Sequence, residues 1–434
     1  MNWENVVVKI NVKFNEIDFN SPLNTRNIMS SSGTGFFIKS NLILTCYHVV
    51  KNAVNIEITY QQTTQINGSI KYILPNDDLA IIILDTSVDD AVILDLKVIN
   101  NKKIVSEVYT IGFPSGSDNI INTKGIISGF RQSKIQIDAT LNPGNSGGPL
   151  VLNDNGIWYY IGINASKLSN AENTGFCIPI YRFIVGLRHI LKYKDEIVIN
   201  KPSWDFDYQN IKQNELKKAR FINYPKIIDN NIGVIITVLN QKYYLNKYLH
   251  VNDILLSIND NVIDYNGYVK FNFYPDKISI NDINLWFAVD DVLKLKVLSY
   301  KDNKIYTIPL KLEYNKKNLF DNYLLDKYPP YYIENNNLVL SIITQDHIDS
   351  FNDLNLSFGQ VLKIASRFLY KQDLFTVYLA DVNPLIFVKY NKYPIGDIII
   401  EINDILFNNY NEFISIIQNK IFKIKTIDNK IFYV

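Results

Sequence analysis

The chain has 434 residues, 47% hydrophobic and 20% charged, enough for two to four domains at roughly 100 to 200 residues each. Lys plus Arg (44) nearly balance Asp plus Glu (43) for a formal net charge of +1, so no global field draws the protein to nucleic acid or an anionic membrane, and a protein or small-molecule partner is expected instead. No apolar run approaches the roughly 18 residues of a membrane helix, and two cysteines, Cys46 and Cys177, are too few for a disulfide framework and lack zinc-ligand spacing.

Residues 6–179 alternate short apolar runs with turn residues, as in VVVKINVKF, DLAIIILD, VYTIGF and IWYYIGINAS, which predicts an all-β body. The opening MNWENVVVKINVKF has no basic segment leading into an apolar stretch and reads as a polar start to a strand. With a cysteine count that suits a reducing compartment, the expectation is an intracellular protein, cytoplasmic or nuclear, without a signal peptide. The stretch GTGFFIKSNLILTCYHVV predicts a strand, a tight turn at Lys39-Ser40-Asn41 and a second strand that delivers His48 to its end. In PNDDLAIIILD, Asp78 opens a continuous apolar run of the fully buried kind. Asn155-Gly156 lies between two apolar runs and predicts a hairpin, since a two-residue type I′ turn needs positive φ. After Pro179, Phe183, Val185, Leu187, Ile190 and Leu191 fall near helical spacing, a helix that closes a first domain over residues 1–197.

The remainder contains an echo. HVNDILLSINDNVID at 250–264 and PIGDIIIEINDILFN at 394–408 share a pattern anchored at Asp253 and Asp397, 144 positions apart. That spacing is far outside a solenoid period and predicts two related domains, at 198–313 and 314–434.

The block NPGNSGGPL at 142–150 sets one serine among glycines and prolines. Amide hydrolysis by serine needs a base, a group orienting that base and two donors for the oxyanion. With Gly144 free in its backbone angles, the N–H groups of Gly144 and Ser146 can aim at one spot beside the Ser146 hydroxyl. The block also fits G-x-S-x-G, the nucleophile elbow, but that motif requires a helix after the serine and a histidine downstream, here His189, His250 or His347. A strand and hairpin follow instead. His48, Asp78 and Ser146 run in the order of the chymotrypsin class.

With these residues in view, the first domain resembles the trypsin-like protease domain of the HtrA/Deg family, through SGTGFFI, LTCYHVV, DLAIIIL, QIDATLNPGNSGGPLV, IGINAS and GFCIPI, which span most of residues 30–180. The two echoes resemble the turn and strand signature of PDZ domains, and the whole arrangement is most similar to intracellular Deg proteases of plants and lower eukaryotes. The resemblance implies a mainly β protein, a double β-barrel followed by two PDZ-like α+β domains. It makes Ser146 the nucleophile, His48 the general base and then acid, Asp78 the group that holds the imidazole, and the Gly144 and Ser146 N–H groups the oxyanion donors. Asp77 adjoins Asp78, and the Asp-Leu-Ala pattern favours Asp78. Cys46 and Tyr47 replace the usual Asn-Ala before the histidine. Six residues before the serine stands Thr140, where enzymes that cut after Lys or Arg carry Asp. With Leu141, Ile161, Ile163 and Ala165 as expected walls, the pocket should prefer small or medium aliphatic side chains.

The segment Lys201 to Phe206, placed to form the carboxylate-binding loop of the first PDZ-like module, contains no glycine and adds Asp205, so strong capture of a free carboxylate is not expected. In the second module that loop has no clear place near residues 330–345. Trp3 and Phe14 are candidate contacts in a homo-oligomer, a trimer or a multiple of trimers, which the family implies. Together these features predict an ATP-independent serine endopeptidase acting on unfolded or damaged proteins, with no cofactor, no metal, no nucleic acid and no membrane partner. The absence of a GxxxxGK[ST] loop agrees. The alternative is a chaperone-like scaffold with PDZ-mediated peptide binding and little proteolysis.

Overall fold

The computed structural model describes residues 1–14, 28–99, 105–167, 174–204, 206–210, 232–239 and 244–313, then 331–333, 338–342, 377–380, 398–407, 410–421, 423–426 and 429–433. Contacts divide the chain into two units, residues 1–14 with 30–316, and 15–29 with 317–434.

In the first unit, β1 (Val7–Phe14), β2 (Met29–Lys39), β3 (Leu42–Cys46), β4 (Ala53–Tyr60), β5 (Thr64–Leu74) and β6 (Leu79–Leu84) close into a barrel in the order β1-β2-β3-β6-β5-β4. Alternation supplies its core. Val8, Ile10 and Val12 of β1 point inward among Phe36, Ile43 and Ile58, all nearly inaccessible. The continuous run of β6 is buried on both faces, which is why it does not alternate with polar residues. The turn expected at residues 39–41 joins β2 to β3, with Lys39 opposite Leu42. A short helix, α1 (Tyr47–Val50), follows β3 and carries His48.

A second sheet comprises β7 (Asp95–Leu96), β8 (Glu107–Gly112), β9 (Ile121–Arg131), β10 (Lys134–Ile137), β11 (Pro149–Asp154), β12 (Ile157–Lys167) and β13 (Gly175–Pro179). Its order is β11-β8-β9-β10-β13-β12-β7, and pairing of β11 with β12 closes six of these strands into a second barrel. The Asn155-Gly156 hairpin forms as expected, with positive φ at both residues (55° and 88°). The helix after Pro179 is α2 (Ile180–Lys192). Its buried face differs from the apolar spacing: Leu191 is 79% exposed while Arg182 and His189 are buried, because the helix turns polar groups toward a charged cluster described below.

The described residues between 204 and 312 surround their own core, with Trp204, Ile236, Leu255, Ile283 and Trp286 buried. Its strands are β14 (Phe206–Asn210), β15 (Val234–Leu239), β16 (Ile254–Ile258), β17 (Asn261–Val262), β18 (Tyr268–Lys270), β19 (Lys277–Ser279), β20 (Val292–Leu298) and β21 (Ile305–Lys311), with helix α3 (Ile283–Trp286) before β20. The sheet runs β14-β15-β16-β20-β21. This body packs on the second barrel and α2 through rings, with Tyr181 stacked on Trp286 and Phe130 edge-on to Tyr274, and through a two-bond ion pair between Arg188 and Asp291.

In the second unit, β22 (Tyr331–Ile333), β23 (Leu338–Ile342), β24 (Val377–Ala380), β25 (Ile398–Ile402), β27 (Lys423–Thr426) and β28 (Ile431–Tyr433) form a sheet in that order, with β26 (Ile405–Leu406) paired to β25 and helix α4 (Tyr410–Ile417) between β26 and β27. The sequence echo is a repeated hairpin. Asn259-Asp260 joins β16 to β17 and Asn403-Asp404 joins β25 to β26, all four residues at positive φ. In each copy the Asn carboxamide accepts a backbone N–H from the neighbouring strand, of Lys294 at 2.8 Å and of Lys423 at 3.2 Å, and the same lysine pairs with the Asp beside it. Asp253 is buried and accepts the N–H groups of His250 and Tyr300, while its counterpart Asp397, like Asp205, lies outside the described residues.

Candidate active site

His48 comes from α1 of the first barrel, and Asp78 from the start of β6. Pairing of Cys46 with Leu79 and donation from the Tyr47 N–H to the Asp78 carbonyl at 3.0 Å bring them together. Asp78 adopts a left-handed conformation (φ 55°), which turns its side chain back toward the helix. Its two carboxylate oxygens then hold His48 at two points, Oδ2 at 2.7 Å from the ring Nδ1 and Oδ1 accepting the His48 backbone N–H at 2.9 Å. Both side chains are partly exposed, 46% and 38%. A carboxylate at Nδ1 fixes the tautomer, leaving Nε2 as the proton acceptor.

Ser146 comes from the second barrel, immediately before β11. Its hydroxyl donates to the Ala165 carbonyl at 3.2 Å and, among the described residues, makes no hydrogen bond with His48. To act as a nucleophile the hydroxyl would have to turn from that carbonyl, and catalytic hydrogen bonds commonly tighten only when substrate binds. Ala165 lies where the register of β12 against β13 slips between Asn164 and Ser166, an irregularity that aims backbone at the serine.

The serine loop is held by contacts to carbonyl oxygens. The Ser115 N–H donates to the Pro143 carbonyl at 2.5 Å, and the Gly148 N–H to the Asn145 carbonyl at 3.0 Å. In a trans peptide the N–H points opposite the carbonyl, so the N–H groups of Gly144 and Ser146 turn away from these partners. Neither has a backbone acceptor among the described residues. Gly144 sits at φ 97°, and a Cβ there would lie 2.3 Å from the Phe113 carbonyl, so only glycine is accommodated. Thr34, fully buried, clamps both ends. Its hydroxyl donates to the Gly144 carbonyl at 2.6 Å and accepts the Phe113 N–H at 3.1 Å, and its own N–H donates to the Ser146 carbonyl at 2.9 Å. Lys9 of β1 reaches across to the Gly116 carbonyl and Asp118, bracing the loop that carries Ser115. Thr34, Ser115 and Lys9 were not among the expected site residues. Thr34 does stand in the SGTGFFI motif, but nothing in the sequence marks its partners.

Beside Ser146 opens a cavity of about 250 Å³ lined by Leu141, Asn142, Pro143, Asn145, Ser146, Asn164, Ala165 and Ser166. Of the expected walls, Leu141 and Ala165 line it; Thr140, Ile161 and Ile163 do not. Thr140 is exposed, and Ile161 joins the core of the second barrel. Ile163, also fully buried, pairs with Pro149 and Ile178 between strands. Asn164, Ala165 and Ser166 all line the cavity, three consecutive residues that regular alternation would not place together, at the slip in β12.

Cys46 and Cys177 are free, buried thiols. Cys46 donates to the Asn164 carbonyl and Cys177 to its side-chain oxygen. Burial pushes both thiols well up, helped at Cys46 by the Asp78 charge, so both act as packed donors and not as nucleophiles. Donor atoms of Cys46, His48 and Asp78 lie within 4.8 Å of one another, but the buried thiol stays protonated and His48 and Asp78 are committed to each other.

Two closed six-stranded barrels, the first supplying His48 and Asp78 and the second Ser146, define the trypsin-like class. Residues 33–163 match the family described as trypsin-like peptidase domain. Protease Do-like 4, mitochondrial, of Arabidopsis thaliana is 27% identical over 362 residues, covering 80% of this chain and 66% of the relative. Putative protease Do-like 3, mitochondrial, of the same plant is 27% identical, covering 78% and 59%. Putative serine protease HhoA of Synechocystis is 34% identical over 165 residues, covering 35% and 41%. The chain thus spans about three fifths to two thirds of the length of the first two. Among solved structures, the HtrA-type protease AlgW with decapeptide superposes with a TM-score of 0.52 at 18% identity, over 72% of this chain and 97% of that one, a likeness of fold. Residues 33–163 are thus a trypsin-like peptidase domain, and the chain is similar over most of its length to Do-like (HtrA/Deg) proteases. These relatives overturn the expectation of a cytoplasmic or nuclear protein: Do-like 4, 3 and 12 are named mitochondrial.

Proposed function

We propose that the protein is a serine endopeptidase in which Ser146 attacks the scissile carbonyl, His48 takes its proton and returns it to the leaving amine, and Asp78 holds the imidazole. The observation that carries this reading is the two-point grip of Asp78 on His48 beside a serine loop whose Gly144 and Ser146 N–H groups are left unspent. Substrates are unfolded or damaged proteins, cleaved without nucleotide, with small or medium aliphatic side chains in the cavity beside Ser146. The AlgW protease was solved with a decapeptide, and an extended peptide is the ligand class proposed here. The residues 198–313 and 314–434 act as PDZ-like modules, and the chain works as a homo-oligomer.

The test is labelling by a fluorophosphonate, alongside casein degradation. Wild type should be labelled at Ser146 and degrade casein; Ser146→Ala should lose labelling and at least about a thousandfold in turnover. Unchanged casein turnover in Ser146→Ala removes the serine from the mechanism, and suppression of aggregation without turnover in wild type favours the chaperone-like alternative.

A further inference from the structure

Beneath the catalytic turn lies a buried charged cluster that the proposed chemistry does not use. Asp77, the neighbour of Asp78, ends the turn Pro75–Asp77 with a fully buried carboxylate. Its Oδ1 accepts Arg182 Nε of α2 at 2.7 Å and Lys201 Nζ at 2.5 Å, while Arg182 Nη2 also donates to the Asn76 carbonyl at 3.1 Å. Among the described residues, Asp77 Oδ2 has no protein partner. Lys201 belongs to the segment leading from the second barrel into the following module, and that segment is pinned at both ends. Upstream, the Ile73 N–H donates to the Ile197 carbonyl and the Ile199 N–H to the Ile73 carbonyl, each at 2.8 Å, on the strand that enters the catalytic turn. Downstream, the Ser203 N–H donates to the Glu313 carbonyl and the Tyr244 hydroxyl to the Ser203 carbonyl.

We infer, building on the triad reading above, that Lys201 is a positioning residue for the triad: with Arg182 it anchors Asp77, and through Asp77 the left-handed turn that aims Asp78 at His48. A covalent step of one residue separates the anchored carboxylate from the catalytic one, so a shift of Asp77 rotates Asp78. Stability alone is a weak reason for the lysine, since buried ion pairs rarely repay their desolvation. Burial pushes the Lys201 ammonium down to about 7, against the pull of Asp77. The charged and titratable groups facing it are Asp77 from the turn, Arg182 and His189 from α2, and Asp282 from the module.

The experiment compares full-length wild type, Lys201→Met, Lys201→Arg and a surface control, Lys192→Met, by fluorophosphonate labelling rate, kcat and KM on one peptide, and the downfield proton resonance of His48 Nδ1. Lys201→Met leaves Asp77 paired one to one with Arg182 and should remain folded. It should lower labelling and kcat roughly 10- to 100-fold, with KM within about twofold and the His48 resonance shifted or lost. Lys201→Arg should recover most of the rate, and Lys192→Met should match wild type. Wild-type labelling in folded Lys201→Met, or an equal loss in Lys192→Met, overturns the inference alone. If Lys201→Met does not fold, Lys201→Gln replaces it, and failure of both to fold assigns the lysine a structural role and overturns the inference. A wild type that is not labelled takes down the triad reading itself, and this inference with it.

Discussion

Thr34 shows how much of the candidate chemistry rests on a fully buried side chain. Its hydroxyl orients the Gly144 carbonyl and its N–H the Ser146 carbonyl, one in each residue whose N–H is proposed to bind the oxyanion. Thr34→Val keeps the shape and removes the hydroxyl, leaving the Gly144 carbonyl and the Phe113 N–H without that partner. The expected result is a loss in kcat of roughly 10- to 100-fold, less than deletion of an oxyanion donor itself, with KM nearly unchanged. Steady-state kinetics on a peptide substrate check it, and an unaltered kcat would show that the loop keeps its geometry unaided. The hydroxyl was in plain view in SGTGFFI, but its partners are about 80 and 110 positions away in sequence, and no local pattern carries that information.

At the scale of elements, α2 is the helix that sequence periodicity described least well. Its spacing of apolar residues located the helix, yet the structure leaves Leu191 exposed and buries Arg182 and His189, since both are taken up by partners from other elements. The His189 Nε2 accepts the Val289 N–H at 2.9 Å, so the ring is held neutral. Burial first, and Lys201 next, push its pKa down to about 4 from the ordinary 6.5. Between these values the unfolded chain binds a proton that the folded chain refuses. Stability is therefore full above about 6.5 and falls as pH drops toward 4, by roughly 3 kcal/mol from this group. His189→Gln retains an acceptor for the Val289 N–H without a titrating ring. Thermal melts from pH 7 to pH 4.5 should show a smaller drop in Tm for this variant than for wild type, and parallel curves would contradict the assignment. The repeated Asn-Asp hairpins are the opposite case: their turn chemistry is local, so the echo was legible in the residues themselves.

For the whole molecule, the cavity beside Ser146 exists only because the loop of residues 141–146 meets the slipped end of β12. Leu141, Pro143 and Ala165 give it apolar surface, Asn142, Asn145, Asn164 and Ser166 rim it, and none of its lining residues is charged. At about 250 Å³ it suits a valine-sized or leucine-sized side chain. Profiling a peptide library should return Val, Ile, Leu or Ala at the cleaved position, and a preference for Arg or Lys would refute the assignment. The docked module, the inter-module segment and α2 also belong to this scale, because Lys201 and Arg182 reach the catalytic turn only after the barrels and the module have packed.

Local rules made legible the strands from runs of Val, Ile and Leu, the hairpin from Asn155-Gly156, the echo around Asp253 and Asp397, and the chain order of His48, Asp78 and Ser146, which with SGTGFFI and NPGNSGGPL carried the resemblance to the HtrA/Deg family. Tertiary packing settled which carbonyls orient the serine loop, that Asn164, Ala165 and Ser166 together line the cavity while Ile161 and Ile163 stay in the core, and that Asp77 sits on two cations beneath the turn. The physical reason is the same in each case. A turn or a strand is set by backbone preferences of adjacent residues, whereas a buried donor, acceptor or charge is settled by whichever partner the fold brings within hydrogen-bond distance, and that partner can lie anywhere in the chain.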